Sequence, residues 1–364
     1  MANIKKPLSN VGYQITHAVH KVEVTIRPRP YFGLVFIFLV SFFCIASSNC
    51  HAEPDVIQEF YSKVEPMLTE KRYVELDAMA DEFRKSDARF PGGDQKLRHF
   101  YYGLGSIEGQ TCGCGGYESS ISFEQKEPLV KQWLAKKPQS IAAHIVMARM
   151  LTNYAWKARG HGYANTVTDD QEKIYEDRLT QAAAVIKGLN PKDDPQIYGV
   201  YTTIARASSN PRPKLDAIYA EVTKQYSEWF ISYANRADIL QEKWFGQPGE
   251  LAIYSQSLLS TPGGETGKIA YSYVADRLVG QYRWQELYTV TGLTWPLVKE
   301  AYAIREKKYG MNNNNWNILL SLAVAGRDMP AAKMAIQHIG DDWDSEVWKE
   351  KKYFDQTVAW VKSH

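Results

Sequence analysis

In NYAWKARGHGYANTVTDDQ, residues 153–171, Trp156, Lys157, Arg159, His161 and Tyr163 place two aromatic rings, two permanent cations and an imidazole close together. Planar and cationic side chains of these kinds suit the concave face that a helical array offers to peptides or partner segments. Each also has a local structural use, because cations offset the dipole at a helix C-terminus and arginine stacks on a tryptophan face. Trp156, Arg159, His161 and Tyr163, with Trp244 of the later segment QEKWFGQPGE, are the candidate ligand- or partner-binding residues.

Cys112 and Cys114 in GQTCGCGGYESS are a second chemical possibility. Their Cys-x-Cys spacing is too short for the redox or zinc Cys-x-x-Cys patterns, and no second pair completes a four-ligand site. A local disulfide, inert thiols or a labile thiol pair remain open. No metal and no cofactor is expected. The His-Glu-x-x-His zinc helix, the Gly-x-Ser-x-Gly elbow and a phosphate-cradling glycine loop are all absent. Asp341, Asp342 and Asp344 lack the twelve-residue calcium loop and read as helix N-capping. Glycoside hydrolysis alone needs no motif, only two carboxylates about 5 to 10 Å apart. With 10 tryptophans and 23 tyrosines, an aromatic-lined sugar site is the alternative to keep.

The elements that must position these groups are helices. After residue 53, apolar residues return every three or four positions, and no period-two run is long enough for a strand. In IAAHIVMARMLTNYAWKARG, two apolar stripes leave Arg149, Asn153 and Lys157 as a narrow polar seam, so this helix packs on two sides. Gly160 reads as its C-cap, and Thr168 with Gln171 as a capping box opening the next helix. Asp194-Pro195 and Pro213 open further helices, Pro248 opens another after Gly246 closes its predecessor, and SEVWKEKKYFDQTVAWVKSH reads as one closing helix.

The first 52 residues stand apart. Lys5, Lys6, Lys21, Arg27 and Arg29 precede the uncharged run YFGLVFIFLVSFFCIA, which is short for a spanning helix, and Cys50-His51-Ala52 has small residues where an export signal is cut. An exported, periplasmic protein is expected; the alternative is an inner-membrane anchor over residues 31–48. This leader holds five of the 43 basic and one of the 41 acidic residues, leaving 38 against 40, or −2 in place of +2. Nucleic-acid binding is not expected of such a balance.

Helices alternating with short turns predict an all-α, tetratricopeptide-like α-solenoid of antiparallel helix pairs. In NWNILLSLAVAGRDMPAAKMAIQHI, Trp316, Leu319 and Ala332 fall at tetratricopeptide separations, with Gly326 at the turn, so this stretch resembles a degenerate repeat. KRYVELDAMADEFRKSDARFPGGDQKLRHFYYGL, YAWKARGHGYANTVTDD and QEKWFGQPGELAIYS together resemble a family of exported bacterial proteins known only as a domain of unknown function. That resemblance implies a helical-repeat fold and supplies no activity. The expected organisation is the leader (1–52), an N-terminal helical portion with the Gly/Cys-rich loop (53–122) and a continuous helical array (123–364). The expected function is non-catalytic binding of a protein or peptide in the bacterial envelope, with a glycan hydrolase as the alternative.

Overall fold

The computed structural model describes residues 56–109, 117–160 and 166–364. The expected leader over 1–52, Cys112, Cys114, His161 and Tyr163 lie outside the described residues. Among the described residues the chain is all-α, with two isolated backbone bridges and no strand. None of the described helices is long and apolar enough to cross a membrane.

The first eight helices are α1 (Val56–Thr69), α2 (Tyr73–Ser86), α3 (Lys96–Gly105), α4 (Phe123–Lys136), α5 (Ile141–Arg159), α6 (Asp169–Ile186), α7 (Pro195–Arg206) and α8 (Pro211–Gln225). Successive odd members touch, α1 on α3, α3 on α5 and α5 on α7, while α4, α6 and α8 lie against α5, α5 and α7. This is the stacked-hairpin rhythm of a solenoid. A second row follows: α9 (Ile231–Ile239) and α13 (Trp295–Tyr309) flank α11 (Gly264–Leu278), beside the short α10 (Glu250–Ser257) and α12 (Trp284–Thr291). The hairpin of α14 (Asn313–Ala325) and α15 (Met329–Ile339) and the closing α16 (Ser345–Trp348) and α17 (Lys351–Ser363) complete the array. One continuous apolar core runs from Val64 to Val361.

Local chemistry sets most helix starts. Thr168 and Gln171 form the expected capping box, and Asp194 accepts from the Gln196 amide ahead of Pro195. Two starts differ. α8 begins at Pro211, not Pro213, because the amides of a helix's first turn have no internal partner and both prolines fit there. α10 begins at Glu250, two residues beyond Pro248. The closing segment is two helices. Lys349 takes a left-handed φ of 64°, while the Trp348 indole N–H donates to Asn317 Oδ1 at 2.8 Å, pinning α16 on α14 before the chain turns. Of the acidic cluster, Asp344 caps α16 with its side chain, accepting from the Glu346 and Val347 amides.

Residues 87–95, between α2 and α3, cross from the first row to the second. The Gly92 carbonyl accepts from Arg305 Nε at 2.6 Å and from the Tyr273 hydroxyl at 3.3 Å. The Gly92 amide donates to Gly310 O, and Asn312 Nδ2 donates to Pro91 O. Arg89 lies over the rings of Phe230 and Tyr309. Gly92 has φ +89°, and a Cβ there would fall 1.9 Å from Asn315 Oδ1, so only glycine lets the loop approach. Arg305 is only 2% exposed; its Nη1 is 2.6 Å from Asp276 Oδ2, so the buried cation is paired.

Candidate functional site

Trp156 and Arg159 sit together at the end of α5. Trp156 is half-buried and meets Tyr175 of α6 edge-on, with ring centroids 5.1 Å apart. The Arg159 guanidinium lies 5.6 Å over the Trp156 ring and donates to Gly160 O at 3.3 Å. The tryptophan thus packs the α5/α6 hairpin, with the arginine closing the helix end. Trp244 is in a different place: it is 48% exposed in the turns between α9 and α10 and shares no ring contact with this pair.

The polar seam of α5 runs against α3 and α7. Arg149 is half-buried, with its guanidinium 4.1 Å over the Tyr102 ring of α3, and Nη1 is 3.5 Å from Gln196 Oε1 of α7. Its buried Nε finds no hydrogen-bond partner among the described residues. Asn153 Nδ2 donates to Gly105 O at 2.8 Å and Lys157 Nζ to Glu108 O at 2.7 Å. Gly105 permits this contact, since a Cβ there would lie 2.8 Å from Arg149 Cβ. Neither Arg149 nor Lys157 has a carboxylate in ion-pairing distance among the described residues; Arg98, also over Tyr102, is paired with Asp94 at 3.2 Å. Burial raises Asp94, but Arg98, His99 and Arg305 outweigh it and hold its carboxyl far below the usual range.

α3, α5 and α7 contain no Asp or Glu at all, whereas α6 alone carries Asp169, Asp170, Glu172, Glu176 and Asp177. The seam was legible as a gap between apolar stripes. Its partners Tyr102, Arg98 and Gln196 have no local signature, although the missing acids on these three helices are a signal the sequence already holds.

A cleft of about 290 Å³ opens beside α2 and the turns before α7 and α9; its lining includes Phe83, Asp87, Lys192, Asp193, Glu228 and Trp229. It brings carboxylates and aromatics together, yet two of its three acids are ion-paired, and the third, Asp193, accepts from Asn190 Nδ2 at 3.2 Å. Asp87 pairs with Arg89 at 2.5 Å. Glu228 accepts from Lys308 at 2.8 Å and Tyr309 at 3.2 Å; burial raises its carboxyl, but these donors and Arg89 hold it below the usual range. Beneath the cleft, Asp194 is fully buried, accepting from Tyr101 OH at 2.6 Å and the Gln196 amide at 2.8 Å, with Arg84 Nε at 3.2 Å. Burial pushes its carboxyl up to about 6 against those donors. A proton donor for glycoside cleavage needs a raised carboxyl that reaches the ligand; here the raised group is sealed in and Glu228 shifts the other way. No group of three or more His, Cys, Asp or Glu among the described residues is placed to hold a metal ion.

Residues 61–193 match a family described as a domain of unknown function (DUF4034). The match spans most of α1 through α6, including the seam and its α3 neighbours, and ends before α7. No curated protein and no solved structure matches the chain.

Proposed function

We propose that the protein is a non-catalytic module of the bacterial envelope that binds a protein or peptide through the face built by α3, α5 and α7. The observation that carries this reading is Arg149, a half-buried guanidinium stacked on Tyr102 with no carboxylate partner among the described residues. Holding a half-buried cation without a counter-charge is costly, so such a group suits a ligand that brings one. Export rests on the leader sequence.

The test is a photocrosslinking residue placed at Asn153 in intact cells. A discrete protein adduct is expected from this position, absent in an Arg149→Glu background and absent from a crosslinker at Lys131 on α4, with the protein recovered in the envelope fraction. Adducts that are missing, or identical at both positions, would overturn the reading. The glycan-hydrolase alternative is favoured only by the aromatic and acidic lining of the cleft. Release of glycan fragments abolished by Asp193→Asn would establish it in place of binding.

A further inference from the structure

We propose that the α3–α5–α7 face takes an acidic, extended stretch of polypeptide whose carboxylates pair with Arg149 and Lys157. This rests on the binding reading above and adds the chemistry of the partner. Charge is the first argument. Helices without a single Asp or Glu present Arg149 and Lys157, neither ion-paired among the described residues, beside the paired Arg98. Of the neighbouring acids, Asp94 is bound to Arg98 and Asp194 is buried beneath the start of α7, while Glu118 accepts from the Gly109 amide and makes no ion pair with Lys157 among the described residues. Glu108 meets Lys157 through its main-chain carbonyl.

Geometry is the second argument. Eight residues of helix separate Arg149 from Lys157, a rise of about 12 Å, which an extended chain covers in roughly four residues. Two acidic residues four apart on an extended segment point to the same side and match both cations. Guanidinium groups bind carboxylates through charge-assisted N–H donors. A lipid surface fits less well. The large exposed apolar side chains, among them Ile253, Trp244 and Val290, lie on other elements, and α3, α5 and α7 carry none to insert among acyl chains.

The experiment titrates the full chain with a blocked, fluorescent twelve-residue Gly/Ser peptide carrying Glu at every fourth position. Parallel titrations use its Gln counterpart and phosphatidylglycerol vesicles. Binding of the Glu peptide is expected to exceed that of the Gln peptide about tenfold or more at low salt and to weaken as salt rises. Arg149→Glu with Lys157→Glu should abolish that preference, and the milder Arg149→Gln should weaken it with the thermal transition unchanged. Lys131→Glu with Lys136→Glu, on α4, should leave it intact. Equal binding of the two peptides, equal loss in the α4 variant, or binding to vesicles alone overturns the proposal. A seam adduct in cells without any preference for the Glu peptide would remove the acidic partner and leave the binding module standing. Loss of both removes the two together.

Discussion

Asp194 contributes to stability with the opposite pH sense to a surface carboxylate. Its folded-state carboxyl titrates near 6, above the ordinary 3.8, so the native state holds the proton more tightly than the unfolded chain does. Stability from this group is full below about 4 and falls as pH rises through about 6, by at most ~3 kcal/mol. Asp194→Asn should remove that decline, so urea midpoints at pH 4 and pH 6.5 should converge relative to the parent; an unchanged slope would refute the assignment. Single-residue environments were only partly legible. The Arg149–Asn153–Lys157 seam could be read because helical periodicity leaves a polar line between two apolar stripes. Lys126 and Arg305 could not, because each resembles a surface cation in sequence. Their burial follows from distant partners: Lys126 donates to Ser106 O at 2.7 Å and pairs with Glu65 at 2.5 Å, which also closes the end of α3.

At the scale of elements, residues 87–95 act as a strap between rows. Arg305→Met would leave the Gly92 carbonyl without its main donor and Asp276 with an unpaired charge, at a cost of roughly 3–5 kcal/mol. The amides of Gly92 and Gly93 should then exchange with solvent markedly faster while those in the middle of α5 keep their protection. Equal acceleration in both places would mean that the strap is not a separable element. Helix starts were legible where the signal is local, as at Thr168 and Asp194, whose side chains bond backbone two or three residues on. The break at Lys349 was not, because it depends on Trp348 reaching Asn317, which is distant in sequence. Nor was the strap, since FPGGD reads as a turn and nothing nearby announces that Arg305 will meet it.

For the whole molecule, the continuous core and the strap predict cooperative unfolding. The parent chain should lose helicity in one thermal transition, with circular dichroism and tryptophan fluorescence superimposing; Arg305→Met should separate the two curves, because stacked hairpins without long-range ties lose cooperativity first. Two transitions in the parent would contradict this. The all-α, solenoid-like class was legible because period and punctuation agree along the chain. The contact between the two rows was not, since a repeat pattern encodes neighbours and is silent on which distant repeats meet.

That contact bears on how such a chain can change length. An open array gains or loses a hairpin cheaply, because each unit answers only to those beside it. Here one hairpin more between α3 and α13 would carry Arg305 away from Gly92 by about the 10 Å spacing of packed helices, beyond any side-chain adjustment. Growth by internal duplication is therefore barred between residues 96 and 305 and left open beyond α14, where additions need not disturb the tie.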